Sequence, residues 1–294
     1  MEISSRMEKS VVNIDLQEEQ FMKNEYFDIF SKCFPDMQLS YSFFCKLFDK
    51  ETCVFFEKQE DNEICAFAIV EDFAIRLICV SPSMHRRNIG ASLISDIEKY
   101  AKRKGFDKII TGGVSSGLFI GAISESWGFF EKQGFVSAGG CDEMLLKLKD
   151  FQFDRLALHG SDVAEYGWFN GDIKDIREAV SAVDEDWTQY FTESGNIYVA
   201  KVNGEIAAFC LVDINCKNYL TDKYGKVGMP GCVGTVPRFR NKGIALEMVA
   251  RVTEYLKNQD MDISFIFFTG VAKWYEKIGY KTFLSECFGI KNLQ

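Results

Sequence analysis

The sequence predicts two α+β domains in tandem, and three observations carry that prediction: a length of 294 residues, a repeated order of local signals, and a change of hydrophobic period after each of two prolines. At about 100 to 200 residues per domain, the length suits two cores better than one. The first repeat runs TCVFFEKQEDNEICAFAIVEDFAIRLICVSP, SMHRRNIGASLISDIEKYAKRKG, DKIITGG and ISESWGFFEKQGF. The second runs NIYVAKVNGEIAAFCLVDIN, GCVGTVPRFRNKGIALEMVARVTEYLKNQD, DISFIFFTG and VAKWYEKIGYKTF. Each reads hairpin, strand, Pro-containing turn, helix, strand, helix, strand.

The hairpins are placed by Asp61-Asn62 and Asn203-Gly204, the second being the stronger type I′ signal. After Pro82 the apolar residues Ile89, Leu93, Ile94, Ile97 and Ala101 fall at helical spacing, as do Ile244, Met248, Val249, Val252 and Leu256 after Pro237. Gly105 suits a C-terminal cap for the first helix, whereas the second ends in the polar run Lys257 to Asp260. Pro82 and Pro237 are 155 positions apart and Gly134 and Gly279 are 145 apart, a loop-sized difference that GGVSSGLFIGAIS supplies. Mainly helical stretches precede each hairpin: FMKNEYFDIFSKCF and LSYSFFCKLFD, then DIREAVSAVDEDWTQYF. No Gly/Ser-rich or Pro-rich linker is present, so the expected junction is short, near Leu148 to Arg155, giving domains 1–150 and 151–294.

Composition narrows the function classes. Apolar residues are 47% and charged residues 26% of the chain, as in folded globular proteins rather than disordered ones. Lys and Arg number 34 against 43 Asp and Glu, and the net charge of -9 repels nucleic acid and acidic membranes. The first twenty residues lack the apolar core of a signal peptide, and no uncharged stretch is long enough to span a bilayer, so a cytoplasmic location is expected. Ten scattered cysteines without a CxxC pair, beside two histidines, argue against a metal site and for thiols used as small buried hydrophobes. The same scarcity argues against Ser/His or Cys/His nucleophilic catalysis.

The chemistry-bearing segment is Arg240-Asn241-Lys242-Gly243-Ile244-Ala245, between the strand GCVGTVP and the following helix. A strand that turns through glycine into a helix aims several backbone N–H groups at one point, on the positive end of the helix dipole. Gly243 permits close approach, Ala245 keeps the first helical turn thin, and Arg240 and Lys242 add positive charge. Such a hole suits pyrophosphate; a solvated helix start with two basic residues is the plainer alternative.

These residues resemble the GNAT superfamily of acyl-CoA-dependent N-acetyltransferases, whose signature is Arg/Gln-x-x-Gly-x-Gly/Ala at the head of a helix after a strand. Arg240, Gly243 and Ala245 match it, and Trp274 to Tyr280 looks like the family's aromatic-Tyr-x-x-x-Gly-aromatic element. The resemblance covers most of residues 190–285 and, more loosely, 50–148. It implies tandem GNAT-like domains, each a mixed, mostly antiparallel sheet flanked by helices. It further implies that the turn binds the pyrophosphate of acetyl-CoA and that the strand Val233, Gly234, Thr235, Val236 holds the pantetheine arm through its backbone. An amine attacks the thioester directly, and Tyr275 stands where the family commonly places a tyrosine that protonates the departing thiolate. A phenol with pKa near ~10 can serve a thiol leaving group near ~8.5 without being ionised itself.

The first copy departs from the pattern. Its turn is His85-Arg86-Arg87-Asn88-Ile89-Gly90, with His for Arg/Gln and Asn for the first glycine, and Phe130 replaces Tyr275. It is read as a structural or substrate-shaping partner, with a second coenzyme site as the alternative. For a general base, Asp213 and Glu286 are candidates by family geography, and Asp213 is taken. GMPGC is read as a loop leading into the binding strand. The expectation is an N-acetyltransferase acting on an amine of a small molecule or peptide, with a monomer preferred. The alternative is a non-catalytic acyl-CoA-binding sensor; peptidyl transfer from aminoacyl-tRNA fits less well with an acidic chain.

Overall fold

The computed structural model describes residues 19–37, 39–47, 52–113, 118–218 and 220–293, and the chain divides into two compact units. The first begins with α1 (Glu19–Cys33) and α2 (Tyr41–Leu47), followed by β1 (Cys53–Glu60), β2 (Glu63–Glu71), β3 (Ala74–Val80), α3 (Ile89–Arg103), β4 (Lys108–Thr111), β5 (Ala122–Ile123) and α4 (Trp127–Lys132). Asp61 and Asn62 both adopt positive φ, 52° and 64°, as a two-residue hairpin of this type demands. Strand alternation then sorts β2 between two helical layers. Ala66, Ala68 and Val70 pack with Leu93, Ile94 and Ile97 of α3, while Phe67 stacks on Tyr26 of α1 with centroids 4.5 Å apart. Because both faces are covered, this strand reads as the unbroken apolar run CAFAIV.

The later elements are β6 (Val136–Lys147), β7 (Glu165–Trp168), α5 (Ile173–Ser181), β8 (Ile197–Val202), β9 (Glu205–Cys216), α6 (Thr221–Tyr224), β10 (Val227–Thr235), α7 (Ile244–Asn258), β11 (Ile263–Thr269), α8 (Ala272–Tyr275) and β12 (Lys281–Asn292). The β8–β9 hairpin turns on Asn203 and Gly204 at φ 50° and 85°. The face of α7 bearing Met248, Val249, Val252 and Leu256 is fully buried in the second unit's core. After α7, Asp260 takes the left-handed position, φ 58°, that Gly105 takes after α3 at 82°.

Strand order is β1-β2-β3-β4-β12 in the first unit and β6-β11-β10-β9-β8-β7 in the second; within each unit one pair runs parallel among the described residues, β3/β4 in the first and β10/β11 in the second. Each unit is therefore a mixed, mostly antiparallel sheet with helices against it. The units are not the linear halves 1–150 and 151–294. The first comprises 1–140 with 285–294, and the second 141–284. The reason lies in the ladders: Met144 to Lys147 pair with Ile263 to Ile266 of β11, and Ile290 to Asn292 pair with β4. Each repeat thus supplies the other unit with part of its last strand, which no turn signal near Leu148 announces.

Two further departures concern local structure. GMPGC is strand rather than loop, lying inside β10, where Met229, Pro230 and Gly231 pair with Asp213, Val212 and Leu211. Pro230 is tolerated because β10 pairs with β11 only at Val227 and Gly228 and carries no ladder on that side further on. Short β7 and α6 were not expected from the sequence. The insertion GGVSSGLFIGAIS falls partly outside the described residues.

Candidate active site

In both units the parallel pair opens after two registers. β10 meets β11 only at Val227↔Ile263 and Gly228↔Ser264, and β3 meets β4 only at Ala74↔Ile110 and Ile75↔Thr111. Beyond those points one edge of β10 and of β3 has no neighbouring ladder among the described residues. β10 also bulges against β9 between Gly231 and Gly234, with Cys232 at φ 46°. After the bulge, Gly234 pairs with Phe209 and the Val236 N–H donates to the Ala207 carbonyl at 3.0 Å, so Gly234 and Val236 spend their backbone groups on β9. Past the bulge, strand alternation turns the N–H of Thr235, which lies between these two residues, toward the opening.

The turn after β10 is built by a Pro237–Phe239 3₁₀ turn, Arg240 in extended conformation, Asn241 at φ 64° and Gly243 at φ 74°, from which α7 starts. Arg240 donates through Nε to the Thr235 carbonyl at 3.2 Å, pinning the turn to the strand end. The first helical bond is Glu247 N–H to the Gly243 carbonyl, at 3.1 Å. Among the described residues, the N–H groups of Asn241 through Leu246 have no acceptor, and Arg240 to Gly243 are exposed. The predicted cradle of Arg240, Asn241, Lys242, Gly243, Ile244 and Ala245 is therefore present as geometry: unpaired donors at a helix start whose dipole favours an anion.

A support for this turn was missed in the sequence. Residues 160–166 cross the start of α7: Ser161 N–H donates to Glu247 Oε2 at 2.8 Å, and the Tyr166 hydroxyl donates to the Ile244 carbonyl at 3.1 Å. A side chain at Gly160 would meet Ile244 Cα at 3.0 Å and the Tyr166 hydroxyl closer still. Glu247 also receives both Nε and NH2 of Arg251, at 3.0 and 2.7 Å, and that guanidinium lies over the Tyr166 ring, 4.7 Å from its centroid. Burial opposes the Glu247 charge, but Arg251 and the Ser161 N–H outweigh it and hold the carboxyl below its ordinary range. A buried glutamate on the first turn of a helix with arginine at i+4 was the available signal.

Tyr275 ends α8, buried at 6% exposure against Trp274 and Tyr280. Its hydroxyl has no hydrogen-bond partner among the described residues. Burial, then the Tyr280 hydroxyl, pushes its pKa above the ordinary tyrosine value, so it stays protonated at neutral pH. Tyr280 is tied down instead, its hydroxyl 2.9 Å from Thr253 and 2.7 Å from Ser264. Asp213 is exposed on β9 opposite Met229, six strand positions from Thr235. Glu286 belongs to the first unit rather than the second. Buried at 2% exposure, it accepts the N–H groups of Ile120 at 3.0 Å and Gly121 at 3.4 Å.

The first unit's turn matches the second's step for step. Pro82–Met84 forms the 3₁₀ turn, His85 is extended, and Arg86 and Asn88 take φ 63° and 60° before α3 begins. His85 Nε2 lies 2.9 Å from the Val80 carbonyl, the counterpart of the Arg240 bond. Beside this turn is a cavity of about 620 Å³, floored by β3 and walled by Asn88, Gly90, Phe129 and Phe130. A second cavity, of about 530 Å³, lies in the other unit near Leu145, Gln152 and Gly279, and no residue of the Arg240 turn lines it.

Residues 172–283 match the family model described as acetyltransferase (GNAT) domain, and residues 20–135 match that described as acetyltransferase (GNAT) family. No curated protein matches the sequence. Among solved structures the chain is similar to the GCN5-related glucosamine N-acetyltransferase region of a fungal multi-domain GH3 β-N-acetylglucosaminidase, with TM-score 0.71 and 18% identity over 96% of this chain. It spans 38% of that protein's chain. It is also similar to a GCN5-related N-acetyltransferase from Sphaerobacter thermophilus, with TM-score 0.65, 14% identity and 92% of each chain covered. A tandem GNAT protein from the clavulanic acid biosynthesis pathway gives TM-score 0.57 and 9% identity over 94% of this chain and 96% of that one. At these identities the likeness is one of fold.

Proposed function

Because the chain belongs to the GNAT acetyltransferase superfamily, with two of its domains in tandem, we propose that it transfers an acetyl or other short acyl group from coenzyme A to an amine of a small molecule or peptide. The observation that carries this reading is the row of unpaired N–H groups from Asn241 to Leu246, at the end of a strand whose outer edge is open. Those donors, with Arg240 and Lys242, would hold the pyrophosphate, and the backbone of Val233 and Thr235 would hold the pantetheine amides. Acetyl-CoA supplies an activated thioester. Tyr275, kept neutral by burial, donates a hydrogen bond to the sulfur as negative charge develops there, and the departing thiolate takes its proton from water. Asp213, exposed to solvent, accepts the proton of the attacking amine through water. The protein is proposed to work in the cytoplasm as a monomer. Among the described residues no helix is long and apolar enough to cross a membrane.

The cavity beside the Asn88 turn favours a second reading, in which the first copy also takes acyl-CoA. Calorimetric titration with acetyl-CoA separates the two. One site per chain supports a single working copy, two sites support coenzyme on both turns, and no binding overturns the proposal. Release of free coenzyme A thiol across a panel of amines then tests transfer; binding without turnover on any amine favours a sensor.

A further inference from the structure

Two thiols in the wall of the first unit's cavity have no part in the proposed transfer. Cys33 is the last residue of α1, Cys79 lies on β3 just before Val80, and both line the cavity of about 620 Å³. The Cys33 thiol donates to the Val80 carbonyl at 3.2 Å, the same oxygen that His85 Nε2 meets at 2.9 Å, and it is hydrogen-bonded to the Cys79 thiol. The bond from Cys79 draws the Cys33 thiol below its ordinary pKa against the opposing pull of burial. Burial, then the neighbouring Cys33, pushes Cys79 the other way. One thiol is half-exposed and the readier nucleophile; the other is buried at 2% exposure, protonated and in contact with it. Attacking thiol and resolving thiol are thus already side by side.

We propose that Cys33 and Cys79 form a thiol-modification site in the cavity wall, which takes a small organic disulfide of the glutathione class and closes to an internal Cys33–Cys79 bond. The Cys33 thiolate attacks one sulfur of oxidised glutathione, forming a mixed disulfide and expelling a glutathione thiolate, which takes up the proton that Cys33 released. Cys79 then loses its proton, attacks the Cys33 sulfur and expels the second glutathione as thiol. Two protein thiols are oxidised and one glutathione disulfide is reduced to two thiols, so the exchange needs no other reagent. The bond ties the end of α1 to the strand that floors the cavity.

The test incubates the full chain with oxidised glutathione, quenches by alkylation and maps disulfides by peptide mass spectrometry. The expected result is a Cys33–Cys79 cross-linked peptide that dithiothreitol reverses. In Cys79→Ser, glutathione should remain on Cys33, attached at least about ten-fold faster than on the half-exposed Cys45 or Cys53. Wild-type protein that gains glutathione on Cys45 and Cys53 without the internal bond overturns the proposal. So does a folded Cys79→Ser variant whose Cys33 reacts no faster than those two. The wild-type map decides even where the variant fails to fold, and because no acyl transfer is read, a negative result leaves the proposed function standing.

Discussion

The turns at 85–90 and 240–245 share one residue, isoleucine at the fifth position, yet they have the same backbone. Positive φ falls on the second and fourth positions of each, and the first side chain of each bonds the carbonyl that ends the preceding strand. The motif is therefore a set of backbone requirements that more than one residue can meet. Asparagine meets the left-handed position at 88 because its short polar side chain tolerates it, and histidine reaches the same carbonyl as arginine. What separates the copies is their surroundings. The second has the Glu247–Arg251 support and a tyrosine hydroxyl at 275; the first has serine and aspartate at the matching positions 92 and 96, a phenylalanine at 130, and a cavity directly beside its turn.

Making the second copy more like the first should break this contrast in graded steps. Tyr275→Phe imitates Phe130 and removes the hydrogen-bond donor while leaving the buried ring. Turnover should fall about 100-fold with acetyl-CoA affinity unchanged; if kcat and kcat/KM both equal wild type, the hydroxyl does not stabilise the departing thiolate. Burial keeps the hydroxyl protonated, so the wild-type rate should show no loss attributable to Tyr275 as pH rises until beyond the ordinary tyrosine value of 10.0. Gly243→Asn imports the first copy's residue at φ 74°, where a new Cβ would meet nothing nearer than the Gly160 nitrogen at 3.7 Å. The chain should fold and bind acetyl-CoA about ten-fold more weakly, ~1.4 kcal/mol, as the side chain crowds the N–H groups. Unchanged calorimetric affinity would mean that asparagine serves there as well as glycine, and would strengthen the two-site reading.

How much of this contrast could be read beforehand depended on the distance over which each feature is encoded. Hairpins at Asn203-Gly204 and Asp61-Asn62, the helices after Pro237 and Pro82, and the turn itself are set by neighbours a few residues apart, and all were legible. The exchange of terminal strands was not, because Lys147 and Ile263 become partners only through the ladder. GMPGC misled through its glycines and proline, residues that usually break strands but that an unladdered edge accepts. The Ser161–Glu247 hook was hidden for the same reason, since it joins residues 86 positions apart. Glu286, assigned by its place near the C-terminus, went with the strand exchange to the first unit.

Glu247→Gln tests whether the support matters to the turn it holds. A neutral amide keeps the shape but weakens two bonds to Arg251 and one to Ser161, and should cost about 1–3 kcal/mol of stability at pH 7, read as a lower unfolding midpoint. Because the folded carboxyl titrates below the ordinary value of 4.5, its contribution is present above that pH and is lost as pH falls through the lower folded value. The difference between variant and wild type should therefore shrink on acidification. Ser92→Ala, the matching change in the first unit, should move the midpoint by less.

Asp213→Asn carries the smallest expected effect and sharpens the role of solvent. An exposed carboxylate that accepts a proton through water competes with bulk water for the same task, so its loss should lower kcat/KM only about three-fold. The fall should be confined to the acidic side of the pH profile, where the amine is most protonated and help in deprotonation matters most. At high pH, with the amine already neutral, variant and wild type should converge. A uniform fall at every pH would instead mean that Asp213 positions the amine, and no change at any pH would mean that water alone takes the proton.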